Sequence, residues 1–246
     1  ERDSASEDMN DKLILALDVD NPEYAVEIVE KFSPYIDIFK VGLELHTIAG
    51  ARIIDEIHKR GKKVFLDLKF HDIPNTVAGA VKSALRMKAE MMTIHISGGR
   101  EMIRAALKAA EEESAALGTV KPKIIGVSVL TSLGQDDLPT LGIERKMQDH
   151  LTGLIDLACG EGIGGIVCSP ADLPFVRPRI PSATLVITPG IRPAWSEKGD
   201  QKRIATPRLA IESGADLMVI GRPISTATDP LEAVEMIERE IEESLK

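Results

Sequence analysis

The chain has little cysteine, no excess of positive charge and no long apolar run. Cys159 and Cys168 are the only cysteines among 246 residues. A disulfide scaffold needs more, so a reducing cytoplasm is the expected setting. Basic residues number 30 against 39 acidic ones, a formal net charge of -9. That argues against general nucleic-acid binding, which needs a basic face. A small anionic substrate stays open, because a few arginines suffice for a local positive site. No apolar stretch approaches the ~18 residues of a membrane span, and no signal-peptide pattern appears. No Pro/Gly/Ser-rich linker divides the chain. The expectation is a flexible polar segment over 1–10, in which Met9 is one candidate for the native start, and one catalytic domain over 11–246.

What is present is alternation. Hydrophobic residues make up 43% of the chain, enough for a substantial core. Short apolar runs predict strands at 13–18, 36–41, 64–69, 91–96, 124–129, 165–168, 185–188 and 217–220. Amphipathic segments between and after them predict helices at 22–32, 49–59, 77–87, 100–117, 145–159, 171–177, 204–213 and 231–245. Asp20 or Asn21 before Pro22 is a helix-start signal, and Asp229 before Pro230 repeats it. Eight strand–helix units in series predict a parallel sheet, because parallel neighbours need crossovers. Eight is also the number that closes a TIM-type (β/α)8 barrel, so a single-domain α/β barrel is expected, with an open doubly wound sheet as the rival. The segment 189–207 is long and polar for a connection, as lids and binding loops are.

In such a barrel, functional residues gather at the C-terminal ends of the strands. The run Phe65-Leu66-Asp67-Leu68-Lys69-Phe70-His71-Asp72 ends the third strand. Side chains alternate along a strand, so Asp67 and Lys69 point one way while Leu66, Leu68 and Phe70 point the other. Asp72 lies in the loop beyond. The first strand ends in Asp18, with Ile14 and Ala16 on its side of the pleat. The second ends in Lys40, with Ile36 and Ile38 on its side. Lys40, Asp67, Lys69 and Asp72 thus suggest a charge network set before any substrate arrives. The bland alternative is a set of ion pairs that orients loops.

The loops after strands seven and eight are the usual phosphate site of this barrel. Here they carry Thr188-Pro189-Gly190-Ile191-Arg192 and Gly221-Arg222-Pro223. Gly221 permits close backbone approach, and Arg222 presents a planar fork of donors. Gln201, in the long loop, could fold over a ligand. The plain alternative for Gly-Arg-Pro is a strand-ending turn. His95 ends the fourth strand, as a site or a packing histidine, and His46, His58 and His150 fall on helix surfaces. Trp195, the single tryptophan, would close over the site or anchor its loop. Glu44, Asp67 and His95 are conceivable metal ligands, but no compact ligand spacing supports a metal.

The chain from Leu13 onward resembles the orotidine 5′-phosphate decarboxylase family, in its bacterial branch. The matching pieces are Leu15-Ala16-Leu17-Asp18, Phe39-Lys40-Val41-Gly42, Asp67 through Thr76, Val129-Leu130-Thr131-Ser132, Thr188 through Pro193, Asp200-Gln201-Lys202-Arg203 and Gly221-Arg222-Pro223. The resemblance implies decarboxylation of orotidine 5′-monophosphate to uridine 5′-monophosphate, the last step of de novo pyrimidine synthesis, with no cofactor and no metal. It also implies a homodimer with shared sites. Lys69 would donate the proton, flanked by Asp67 and by Asp72 of the neighbouring subunit, with Thr76 in that same contributed segment. Asp18 and Lys40 would bind the ribose end and Thr131 the pyrimidine side. Arg192, Gln201, Gly221 and Arg222 would hold the phosphate. Two rivals remain: a sugar-phosphate relative with a metal-held enediolate, and a nucleotide-binding protein without turnover.

Overall fold

The computed structural model describes residues 12–193, 195, 205–227 and 229–244. Eight parallel strands follow one another around a closed barrel. They are β1 (Leu13–Ala16), β2 (Ile38–Gly42), β3 (Lys63–Phe70), β4 (Met91–His95), β5 (Lys123–Val127), β6 (Gly165–Val167), β7 (Leu185–Thr188) and β8 (Leu217–Ile220). The last strand pairs with the first, Val219 beside Ile14. That closure makes the TIM-type barrel and disposes of the open sheet.

The helices lie outside. They are α1 (Pro22–Phe32), α2 (Leu43–Ala49), α3 (Ala51–Lys59), α4 (Pro74–Arg86), α5 (Gly99–Leu117), α6 (Met147–Gly160), α7 (Leu173–Val176), α8 (Pro207–Glu212), α9 (Arg222–Ser225) and α10 (Pro230–Ser244). Asn21 starts α1 as its pattern predicts, its Oδ1 accepting from the Tyr24 N–H at 2.8 Å. Asp229 does the same for α10, accepting from Leu231 and Glu232. Such caps satisfy donors that the first helical turn leaves orphaned. The helix predicted over 49–59 begins at Ala51, and a further helix, α2, precedes it over Leu43–Ala49. Gly50, at φ 56°, takes a backbone conformation closed to most residues and separates α2 from α3.

Two apolar layers fill the molecule. The larger packs the outer faces of the strands against the helices. The smaller plugs the barrel interior with Ile14, Ile38, Phe65, Met91, Ile125, Ile187 and Leu217. Burying each such side chain stabilises by roughly 1.5–3 kcal/mol. Ile36 was expected beside Ile38 on the inner face. It packs in the outer layer instead, because the chain enters β2 only at Ile38.

The plug also sets the floor of the site. Two residues beyond all but one of the plug positions, the same strand face opens into a cavity; the exception is Met91. Ile14 leads to Ala16, Ile38 to Lys40, Phe65 to Asp67, Ile125 to Val127 and Ile187 to Pro189. The pleat period of two therefore converts a ring of apolar residues into a ring of site residues one layer higher.

Candidate active site

The cavity at the C-terminal ends of the strands has a volume of about 250 Å³. Of the residues expected from sequence, Asp18, Lys40, Asp67, Lys69, Thr131, Arg192, Gly221 and Arg222 all line it. Lys40 is buried, and its Nζ donates to Asp18 Oδ1 at 2.9 Å and lies 3.9 Å from Asp67 Oδ2. Lys69 Nζ donates to the same Asp67 Oδ2 at 2.8 Å. One carboxylate thus holds two ammonium groups in the mouth of the barrel.

The end of β3 is not a regular strand. Leu66 pairs with Met92, and the next pairing joins Phe70 to Ile94. Asp67, Leu68 and Lys69 therefore face the single residue Thr93. The bulge leaves Lys69 at φ 51°, in the left-handed region. Few residues other than glycine and asparagine go there without a local reason. Thr93 supplies the missing partner. Its Oγ1 accepts from the Lys69 backbone N–H at 2.8 Å and donates to Asp67 Oδ1 at 2.9 Å.

β7 and β8 carry the other side of the cavity; β7 lies four strands from β3 and so faces it across the barrel. The stems of the long loop are tied together. Ile191 bridges to Ala205, with the Arg192 N–H donating to the Ala205 carbonyl at 2.9 Å. Gly221 sits tight against β1. A Cβ there would come 3.3 Å from Ala16 Cβ and 3.5 Å from Asp18 Oδ2. The short helix α9 begins directly after it, with Arg222. Gln201 lies outside the described residues, as does the segment 1–10.

Asp72 and Thr76 do not line this cavity. Both are exposed and border a shallow outer groove with His71 and Lys69. Among the described residues Asp72 forms no ion pair; its Oδ1 accepts from the Ile73 N–H at 2.6 Å. Lys69 lies between the two, lining both the cavity and the groove.

His95 is half-buried against His71, ring centroids 5.1 Å apart. Burial first, then the charges of His71 and Lys69, hold its imidazole below the ordinary value, with Asp67 pulling the other way. Burial also lowers His46 and His150, so neither is the open surface histidine expected. Trp195 is exposed. Glu44, Asp67 and His95 do not converge, and no group of three His, Cys, Asp or Glu side chains does among the described residues. Cys168 lines the cavity, but burial, aided by Asp172 and opposed by Arg177, pushes its thiol up to about 12. It is a wall, not a nucleophile.

Two residues that stand behind the cavity lining carry no functional signal of their own in the sequence. Thr93 looks like an ordinary β-branched strand residue. Gly42 shapes the space of Lys40: a Cβ there would lie 3.0 Å from Lys40 Nζ. The Phe39-Lys40-Val41-Gly42 motif carried that signal.

A closed α/β barrel with a lysine–carboxylate network on one side and arginines after its last two strands defines a TIM-barrel enzyme for a small anionic substrate. The family model described as "Orotidine 5′-phosphate decarboxylase / HUMPS family" matches residues 11–237. The orotidine 5′-phosphate decarboxylase of Moorella thermoacetica is 45% identical over 233 residues, covering 94% of this chain and 92% of that one. That of Vibrio cholerae is 45% identical over 238 residues, covering 96% and 100%. The crystal structure of the orotidine 5′-phosphate decarboxylase from Lactobacillus acidophilus superposes with a TM-score of 0.81 at 35% identity, covering 94% and 98%. The chain belongs to the orotidine 5′-phosphate decarboxylase / HUMPS family.

Proposed function

We propose that the chain converts orotidine 5′-monophosphate to uridine 5′-monophosphate and carbon dioxide, the last step of de novo pyrimidine synthesis. The observation that carries the reading is Asp67. It holds Lys69 at 2.8 Å and Lys40 at 3.9 Å, across the cavity from Arg192 and Arg222. Membership of the family and the names of the relatives support it.

The chemistry follows from the charges. The bond from pyrimidine C6 to the carboxylate breaks, carbon dioxide leaves, and the electron pair stays on C6. The Lys69 ammonium stabilises that pair electrostatically and then donates a proton to it. Solvent later returns the proton to Lys69. Asp67 fixes the ammonium in advance. It also sets a carboxylate where the substrate carboxylate enters, a repulsion relieved as carbon dioxide departs. Asp18 and Lys40 hold the ribose, and Thr131 lies beside the base. Arg192, Gly221 and Arg222, with Gln201, hold the phosphate. That grip is remote from the breaking bond, and its binding energy serves to align the reacting end.

Asp72 and Thr76 act in the neighbouring subunit of a homodimer. Their place in an outer groove that shares Lys69 with the cavity supports this. The proposed reaction uses neither metal nor cofactor, because the Lys69 ammonium, held by Asp67, supplies the positive charge at C6. Among the described residues no helix is long and apolar enough to cross a membrane. The free thiols of Cys159 and Cys168 fit a reducing cytoplasm.

The test is loss of orotidine monophosphate absorbance with purified protein, with and without a chelator. Turnover should survive exhaustive chelation. Loss of activity restored by magnesium would favour a metal-dependent sugar-phosphate reaction, and nucleotide binding without turnover would favour a non-catalytic binder.

A further inference from the structure

We infer that Thr93 is a positioning residue for decarboxylation, the hydroxyl that joins Asp67 to the backbone of Lys69 and sets both at the distance the reaction requires. The inference rests on the Asp67–Lys69 reading above. Thr93 does not line the cavity. It occupies the layer of the site residues, two positions beyond the plug residue Met91 on β4. Its side chain is completely buried.

The bulge gives the hydroxyl its work. Three residues of β3 stand opposite Thr93 alone, so the regular ladder does not satisfy the Lys69 N–H. Lys69 is held there at φ 51°, a conformation that persists only where the surroundings impose it. The N–H donates to Thr93 Oγ1 at 2.8 Å, and Oγ1 donates its one proton to Asp67 Oδ1 at 2.9 Å. A hydroxyl has a single proton to donate. The direction of both bonds is therefore fixed, and one atom ties the lysine's main chain to the aspartate's side chain. Asp67 Oδ2 is left facing Lys69 Nζ at 2.8 Å. The loop of bonds closes: Lys69 N–H, Thr93 hydroxyl, Asp67 carboxylate, Lys69 ammonium. A β-branched residue without the hydroxyl fits the same space but cannot close it.

The test compares Thr93→Val, Thr93→Ser and Thr93→Cys with wild type and Lys69→Ala. Thr93→Val keeps the shape and removes both bonds. Its kcat should fall about 10- to 100-fold, the size expected when reacting groups shift by about 1 Å. The KM for orotidine monophosphate and the binding of uridine monophosphate should stay within about threefold, because the phosphate grip does not involve β4. Thr93→Ser should recover kcat to within about threefold of wild type. Should Thr93→Val fail to fold, the Ser and Cys variants decide: kcat should follow hydrogen-bonding strength, Ser well above Cys. Wild-type kcat in folded Thr93→Val, or equal kcat in Ser and Cys, would overturn the inference. An inactive Lys69→Ala beside a fully active Thr93→Val would sink the positioning role alone. An active Lys69→Ala would sink the reading beneath it, and this inference with it.

Discussion

The two sides of the cavity are built in different ways. On the β2–β3 side the functional groups ride on strands. Lys40 and Asp67 each stand two residues above a plug residue, and the Asp67 carboxylate is fixed by Lys69 and Thr93. On the β7–β8 side they ride on loops. Arg192 sits at the stem of a long connection, and Arg222 opens a four-residue helix after Gly221. Strand-borne charges cost no reorganisation at the moment of reaction, which favours electrostatic stabilisation. Loop-borne groups can close after the substrate enters. On the proposed reading, the reacting end rides on strands and the phosphate end on loops. A lesion on the first side should strike turnover; a lesion on the second should strike affinity.

The largest expected effect lies on the strand side. Lys69→Ala should lower turnover by about 10⁴-fold or more, as loss of a proton donor that is also the charge at the reacting carbon. Asp72→Ala should be inactive too, for a different geometric reason. In a mixed dimer one site carries both lesions and the other neither. Subunit exchange between the two inactive proteins should restore roughly half of wild-type activity per heterodimer if the sites are independent. Heterodimers confirmed by mass with no activity would break the shared-site part of the account.

A smaller effect is expected opposite. Arg222→Ala should weaken uridine monophosphate binding by about 10- to 100-fold, the equivalent of ~1.5–3 kcal/mol for a charge-assisted bond. Binding of uridine itself should barely change. Gln201→Ala should show the same preference more mildly. Equal losses for nucleotide and nucleoside would erase the contrast between the two sides.

The smallest effect concerns stability. The folded protein holds the His95 imidazole below its ordinary 6.5, chiefly through burial. The unfolded chain therefore binds a proton there that the folded chain refuses. Stability from this group is full above about pH 6.5 and is lost as pH falls through that value. His95→Gln should reduce the fall in Tm between pH 7 and 5.5, by less than about 2 °C. His46 and His150, also held low by burial, leave a residual slope of the same sign. An unchanged slope in the variant would remove His95 from the linkage.

Much of this arrangement is legible in the sequence because strand parity is simple. Ile14-Ala16, Ile38-Lys40 and Phe65-Asp67 show a core position followed by a site position, and eight such strands in series define the barrel. Asp18, Lys40, Asp67 and Lys69 stand at strand ends, and Arg192 and Arg222 follow the last two strands, where such a barrel gathers its functional residues. What parity misses is the place where it fails. No glycine marks the bulge in β3; Lys69 itself takes the positive φ. Thr93 is therefore silent in the sequence, since threonine in a strand is expected for its shape alone. Ile36 was misplaced because the apolar run begins before the strand does. Asp72 is legible as a charge beyond the strand end, but the sequence of one chain does not say which cavity it serves, and it lies in the outer groove.

The central claim is that Lys69, fixed by Asp67, exchanges a proton with pyrimidine C6. By microscopic reversibility a proton donor in decarboxylation is also a base toward the product. Uridine monophosphate incubated with the protein in deuterium oxide should lose its C6 proton signal by NMR. Lys69→Ala, shown by titration to bind the nucleotide still, should leave that signal intact. Wild-type exchange in Lys69→Ala would contradict the account.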